Sequence, residues 1–598
     1  MMKLLTILLC IAMLAPAASA ELVVGEAYYR DTNASLHVFV TNVGTEAATL
    51  LPPVVEGFDT AMLGRDGLKA GPVLWYRSRP NPIPPGGIAD VVITLAKASD
   101  KPETVDIRSA SGDRVSSTVQ CVPEAFRLQA IRFGKDLRSV YIYARWSGSS
   151  ASDELKTVKI DGVDVNDEAS PLPAKKERGL AYTKITLPKP FAQGSFHVFE
   201  VKTAKGLSTA YQIRAIPAEF LIGVYGAPSI PNVQDWAAHG CNHYLAFNAI
   251  SPEVLERLHS YGLSVGAKYI PEPLVDRTKG VVVVCDDDAA RKAIRSMADK
   301  PGLLYHELVD EPDAGDSYAG RRIGASSMEL VARQRLCEES DPQRYTFVQI
   351  DNTYRPDNYR VYGESADVLA THRYGLGSAI QGEAGANTTT SLSFIPDLQG
   401  TVSQFRSATE PDPFFMVTQF FDLGKNRSGR PPTIEEMRLQ CYIAMAGGAR
   451  GLIHYIHSGS GGGHEGGKTP ALWDAMKPMH EELKRVGEVV GIGVPAPESW
   501  VKSDDRNVQA SAVIGDDSIA VIVVNTADRS APEQFVAQPA TKVGISVAVP
   551  SWIDASKLQV TAADSSQIVA SAVRDNEITF SIDELRDAQC FLLRPRGM

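Results

Sequence analysis

A (β/α)8 barrel carried between antiparallel β-sandwiches is the fold class this sequence predicts, and three observations predict it. From Glu219 to Val490, short apolar runs alternate with helix-like patterns, as strand and crossover helix do in a parallel sheet. On either side of that region, apolar and polar residues alternate at period two between Asn, Gly and Pro turns, the texture of sandwich strands. At 598 residues the chain is also too long for a single core, so several domains are required.

The elements follow in chain order. Lys3 precedes the apolar run Leu4 to Leu14, and Ala18-Ser19-Ala20 supplies small residues at cleavage positions. This pattern predicts a secretory signal peptide over 1–20, a mature chain from Glu21 and a secreted or periplasmic location. Cys10 lies inside the apolar run without small residues before it, so no lipid anchor is expected. Runs such as Ser35 to Thr41 and Ala89 to Leu95 predict a β-sandwich over 21–123. Ser139 to Arg145 and Phe196 to Lys202 predict a second over 124–216, and Ile519 to Asn525 with Cys590 to Leu593 a C-terminal sandwich over 498–598.

Between them, 217–497 reads as the barrel. Its eight strands are predicted at Phe220 to Tyr225, Tyr244 to Phe247, Leu263 to Tyr269, Leu303 to Val309, Tyr345 to Ile350, Val368 to His372, Phe415 to Gln419 and Gly451 to Tyr455. Helices are expected at Val233 to His239, Ser251 to His259, Ala289 to Asp299, Met328 to Glu338, Thr433 to Ala446 and Ala471 to Val490, with Asp286-Asp-Asp288 as the cap and first turn of the third. Eight strand and helix units over roughly 280 residues suit this barrel, which typically takes about 250.

Composition narrows the partners. The formal charge of −11 becomes −12 once Lys3 is removed, and no basic cluster of five or more occurs, which argues against nucleic acid and anionic membrane. No run after the signal reaches the roughly 20 apolar residues of a membrane span. The six remaining cysteines are scattered without metal-ligand spacing and are too sparse for a disulfide scaffold. His243, His454 and His457 lack zinc spacing, and the glycine-rich segment Ser458 to Gly467 lacks the G-K-[ST] ending of a phosphate loop. No metal or cofactor is therefore expected, and that segment reads as a lid over the barrel mouth.

Barrel enzymes act at the C-terminal ends of their strands, so the polar residues after each apolar run are the functional candidates. These are Tyr225, Asn248, Glu272, Asp310 with Glu311, Asp351, His372 with Tyr374, Gln419 with Asp422, and Tyr455 with His457. The set is rich in carboxylate, histidine and tyrosine, as a sugar-processing cleft is.

Two short motifs carry a resemblance. Asp310-Glu311-Pro312 follows the fourth strand and His372-Arg-Tyr374 follows the sixth, and on these the barrel region resembles clan A of the glycoside hydrolases. The resemblance covers about half the chain. It implies Glu311 as general acid, Asp310 as a residue bonding the sugar hydroxyl beside the reacting carbon, and a nucleophilic Glu ending the seventh strand. That last position holds Gln419, a neutral amide that can bond a sugar but cannot form a glycosyl ester.

Asp422, Glu272 or Asp351 is then the expected second carboxylate, with Asp422 and Glu272 leading. Asp310, His372, Tyr374, Gln419, Tyr455, Tyr225 and Asn248 are expected to bind substrate. Each has a plainer reading: Glu311 as a loop carboxylate capping a helix, Asp310 in an ion pair with Arg373 or Arg355, His372 and Tyr374 as strand-end packing, and Trp473 as core rather than a sugar platform. The expected function is a secreted glycoside hydrolase acting on a poly- or oligosaccharide. A carbohydrate-binding protein on a degenerate hydrolase barrel is the alternative. A third reading has the sandwiches carry a structural role with the barrel as scaffold.

Overall fold

The structure is a computed structural model that describes residues 20–65, 71–146, 155–165, 179–246, 249–268, 274–276, 281–283, 285–313, 325–351, 358–374, 394–421, 430–457, 470–527, 529–530 and 535–597. The expected signal segment, apart from Ala20, and the glycine-rich segment 458–467 lie outside the described residues.

At the centre, eight parallel strands close into a barrel. They run Leu221–Tyr225, His243–Leu245, Ser264–Ala267, Leu303–Asp310, Tyr345–Ile350, Val368–His372, Phe414–Gln419 and Gly451–Tyr455, each pairing with the next and the eighth with the first. The second and third strands stop short of the expected ends, so Lys268 rather than Glu272 directly follows the third. Helices Ile230–Ala238, Pro252–Ser260, Asp287–Met297, Ser327–Ser340, Asn358–Tyr362, Phe394–Thr409, Ile434–Ala446 and Pro470–Val490 complete the eight units. Of these, Asn358–Tyr362 and Phe394–Thr409 are additions to the six the sequence pattern predicts.

Local chemistry explains why these segments hold. Asp286 caps the third helix by accepting from the backbone N–H of Asp288 and Ala289, as its acidic run suggests. Thr433 and Glu436 form a reciprocal capping box at the helix before the eighth strand, and Arg430 pairs with Glu436 from outside. Pleat alternation sends Tyr305, Tyr345, Phe347, Val368, Ala370, Phe415, Val417 and Ile453 into one inner cluster, so the barrel interior is packed rather than open. Truncating a ring such as Phe347, which is fully buried, to alanine would cost about 3–5 kcal/mol. Gly266 is required on the third strand because a Cβ there would fall 2.1 Å from the Tyr305 ring.

N-terminal to the barrel, two four-stranded antiparallel sheets span residues 22–119, and a three-stranded and a four-stranded sheet span 126–214. Five- and four-stranded sheets follow the barrel over 494–595. Both N-terminal units meet the barrel at the starts of its strands. Arg79 and Arg214 converge on Asp367, just before the sixth strand, and Arg30 pairs with Glu364. This floor lies at the opposite end from the strand tips. No helix among the described residues is long and apolar enough to cross a membrane.

Candidate active site

The same alternation that packs the barrel also builds its upper layer. Inward positions run Phe347 to Gln349 on the fifth strand, Ala370 to His372 on the sixth, Val417 to Gln419 on the seventh and Ile453 to Tyr455 on the eighth. With Tyr225 from the first strand, these side chains cap the apolar interior with a polar and aromatic tier.

Glu311 enters this tier from the fourth strand, whose pairing shifts register between Glu307 and Asp310. Its backbone takes the left-handed conformation, φ 46°, which is uncommon for a residue with a Cβ and tends to occur where function dictates the geometry. The Glu311 N–H donates to the Gln349 carbonyl at 3.0 Å, tying the turn to the fifth strand. Tyr225 donates its hydroxyl to Gln349 Oε1 at 2.7 Å, and Gln349 Nε2 then donates to Glu311 Oε1 at 3.3 Å.

Four titratable groups bear on that carboxyl: His372, Asp310, Asp351 and Asp313. His372 Nδ1 lies 3.7 Å from Glu311 Oε1, and His372 Nε2 lies 3.1 Å from Asp351 Oδ1. Asp313 accepts from the Asp351 backbone N–H at 2.9 Å and from Asn358 Nδ2 at 3.1 Å, fixing the loop behind the pair. Lys268 Nζ stands 3.7 Å from Asp310 Oδ2, an ion-pair partner the sequence pattern does not predict, while Arg373 pairs with Asp397 and Arg355 lies outside the described residues.

Electrostatics follow from this placement. Burial pushes the Glu311 carboxyl up to about 7; the His372 ring opposes the rise, and Asp310, Asp351 and Asp313 add to it. The His372 imidazole is lowered by burial but lifted more by the bond to Asp351 and the charges of Glu311, Asp351 and Asp313, so it ends above its ordinary value. A carboxylic acid that stays protonated near neutrality is what general acid catalysis requires.

Aromatic rings line the space beside it. Tyr374 stacks on His372 with ring centres 4.1 Å apart and meets Tyr455 at 5.9 Å and Phe421 at 5.0 Å. Tyr374 and Tyr455 are partly exposed, whereas Tyr225 is only 1% exposed and sits beneath Tyr455 at 5.3 Å.

Gln419 is fully buried in the barrel wall. Its Nε2 donates to the Phe421 carbonyl at 3.2 Å, and its backbone exchanges bonds with the Gln440 amide. Asp422, Glu272 and Asn248 lie outside the described residues. The structure thus brings Glu311, Asp310, His372, Tyr374, Tyr455, Tyr225 and Gln419 into one tier. Gln349, Asp313, Phe421 and Lys268 belong to the same neighbourhood and are absent from the sequence-derived set. Gln349 had a legible signal, since it is the polar member of the inward series Tyr345, Phe347, Gln349.

Donor atoms of Glu311, Asp351 and His372 lie within 4.8 Å of one another, a spacing a divalent cation can bridge. Ligation would need Glu311 and the facing His372 nitrogen deprotonated, so a cation and a proton would compete for the same atoms. His243, His454 and His457 are occupied elsewhere: His243 with Tyr305 and Ser264, His454 with Thr418 and His480, and His457 with Trp236. Trp473 is core, 4% exposed, with its indole N–H donated to Asp235.

No family model and no curated protein matches the chain. Among solved structures it is similar to a glycoside hydrolase at 12% identity, covering 67% of this chain and 95% of that one with a TM-score of 0.44. It is also similar to a Paenibacillus cycloisomaltooligosaccharide glucanotransferase complexed with cycloisomaltoheptaose, at 9% identity over 78% of this chain and 99% of that one, TM-score 0.43. A family 5 glycoside hydrolase from Bacteroides vulgatus gives 12% identity over 67% and 92%, TM-score 0.42. Identities and TM-scores this low leave the chemistry to be argued from the site itself.

Proposed function

We propose that this protein is a glycoside hydrolase acting on a poly- or oligosaccharide outside the cytoplasm, with Glu311 as its general acid. One observation carries the reading: a carboxyl held in left-handed backbone at the barrel mouth, raised to about 7 by burial and by neighbouring carboxylates. Such a group can protonate a departing glycosidic oxygen at neutral pH, which an ordinary carboxylate cannot. The partly exposed rings of Tyr374 and Tyr455 give the apolar face of a sugar a surface to pack on. Asp310, carrying Lys268 as its counter-ion, is positioned as a hydrogen-bond acceptor for a sugar hydroxyl.

The second carboxylate is proposed to be Asp422, next to the seventh strand end, with Glu272 as the other candidate. Asp351 is unsuited to that role because it is 7% exposed and committed to His372. Alanine at either candidate, with azide added, should restore turnover as a glycosyl azide only where the missing group is the nucleophile or base.

Glu311→Gln is the test of the acid. Turnover of an unactivated oligosaccharide should fall by about 10²–10⁴-fold, whereas 2,4-dinitrophenyl glycosides, whose leaving group needs no proton, should lose less than tenfold. A variant that cleaved its glycan at the wild-type rate would remove the foundation of the reading. Gln419 favours one other reading, a barrel that binds glycan without cleaving it. That reading predicts saturable oligosaccharide binding by calorimetry with no reducing ends released.

A further inference from the structure

The protein holds several other clusters of ionisable side chains, and most of those among the described residues are closed. His454 and His480 face each other at 3.1 Å, but each remaining ring nitrogen is bonded to Thr418 or to the His239 carbonyl. At the barrel floor Glu364 and Asp367 are matched by arginines, and Asp412, which burial raises to about 7, accepts from Tyr211. His372 differs, because its Nδ1 has no hydrogen-bond partner among the described residues although the residue is only 6% exposed, and it is aimed at Glu311.

We infer that His372 and Asp351 form a proton-holding pair behind Glu311. Asp351 accepts the Nε2–H, which leaves Nδ1 bare in the neutral ring, and the proton that Glu311 delivers rests between its Oε1 and that Nδ1. This rests on the glycosidase reading only for its catalytic use; the proton sharing stands on the geometry of the pair together with the raised Glu311 acid.

The logic follows from the donor inventory. A carboxylate can only accept, so at 3.1 Å the Asp351 oxygen fixes Nε2 as the protonated nitrogen of His372. The opposite nitrogen must then accept, and the group before it is a carboxyl that is protonated near neutrality. A closing movement of about 0.7–0.9 Å would turn the 3.7 Å approach into a hydrogen bond. Tyr374, stacked on the imidazole, holds the ring plane and blocks rotation.

In the reaction the Glu311 O–H bond breaks as the leaving oxygen takes the proton and the glycosidic C–O bond opens. Glu311 is left as carboxylate and His372 neutral. Water then gives hydroxide to the sugar carbon, and its released proton refills the pair. His372 and Asp351 are positioning residues in this scheme, since neither touches the reacting atoms.

The groups facing the pair set its response to pH. They are Asp310 and Asp313 from the Glu311 loop, Asp351 and neutral Gln349 from the fifth strand, Tyr374 from the sixth, and Lys268 from the third, which bears on Asp310. Asp351 raises both partners, so removing its charge must lower both. His372 lowers Glu311 when cationic, so removing the ring must raise Glu311. The two substitutions therefore move the acid in opposite directions, which a general loss of packing would not do.

The test uses the full chain labelled with [15N]histidine, with His372 assigned by the signal lost in His372→Gln. Expected in wild type is a neutral His372 protonated at Nε2 and bare at Nδ1. Its titration should move down by half a pH unit or more in both Glu311→Gln and Asp351→Asn. A His372 protonated at Nδ1 when neutral, or one whose titration is unmoved by Glu311→Gln, overturns the inference whatever the protein's activity. On an aryl glycoside with a poor leaving group, the alkaline limb of kcat/KM should shift up in His372→Gln and down in Asp351→Asn. If Glu311→Gln loses no more with poor leaving groups than with good ones while the nitrogen spectra behave as expected, the pair stands and the glycosidase reading falls.

Discussion

Two buried carboxylates at the barrel floor, Glu364 and Asp367, and one at its mouth, Glu311, are treated in opposite ways, while Asp412 at the floor, bonded by Tyr211 and with no arginine in contact among the described residues, rises to about 7 as Glu311 does. At the floor, Glu364 meets Arg30 and His37, and Asp367 lies between Arg214 and Arg79. Burial alone would raise both acids, yet the arginines beside them, with His37 at Glu364, hold both below the usual carboxylate range. At the mouth, Glu311 has no arginine against it among the described residues and shares its surroundings with Asp310, Asp351 and Asp313, so burial wins and the acid rises to about 7. The difference teaches that burial by itself does not decide a carboxylate's role; the cations packed beside it do. The floor uses charge to join the N-terminal sandwiches to the barrel. The mouth keeps an acid in reserve.

This contrast can be broken most strongly at the floor. Arg30→Ala strips the arginine from buried Glu364, and removal of one partner from such a pair typically costs about 3–5 kcal/mol. Urea unfolding should report that loss, with turnover per folded molecule unchanged. A loss under 1 kcal/mol would mean that the floor network is not what joins the units.

Gln419→Glu asks whether the mouth can be converted by restoring a carboxylate. The new oxygen would face the Phe421 carbonyl that Gln419 now donates to, so a destabilisation of about 1–3 kcal/mol with no gain in hydrolysis is expected. A rise in turnover would show that the wall relaxes to free the side chain.

The two ends should also differ in sign with pH. Glu364 and Asp367 are depressed in the folded state, so their contribution is present above the unfolded carboxylate range and is lost as pH falls through their folded values. His37, raised to about 9, contributes fully below about 6.5 and loses that as pH climbs through 9. Glu311 runs the other way from the floor carboxylates: its raised value costs the folded state stability as pH increases from about 4.5 to 7. Glu311→Gln should therefore be about 1–2 kcal/mol more stable than wild type at pH 8 and equal to it at pH 4. Equal stability at both pH values would contradict a raised acid at the mouth.

The smallest effect sharpens the frame rather than the site. Thr433→Ala, which removes one half of the capping box before the eighth strand, should cost about 1 kcal/mol and leave activity intact.

What the sequence by itself determined was periodicity and its ends. Apolar runs located all eight barrel strands, and period-two alternation put Gln349, His372, Gln419 and Tyr455 on the inner face, because the pleat leaves no other choice. Helix signals were less complete. Phe394–Thr409 buries Ile395, Leu398, Val402 and Phe405 at helical spacing, but Pro396 and Gly400 disguise it, and Asn358–Tyr362 is too short to show a period.

Only the tertiary structure decided which strand-end groups meet. Asp310 faces Lys268 rather than Arg373, Trp473 turns into the core, and Asp351 reaches Glu311 through His372. These contacts join residues dozens of positions apart, set by barrel closure and register, and no local pattern encodes such distances. Glu311 was legible as a carboxylate at a strand end. That it is an acid, and that Glu364 is not, came from the charges the fold placed around each.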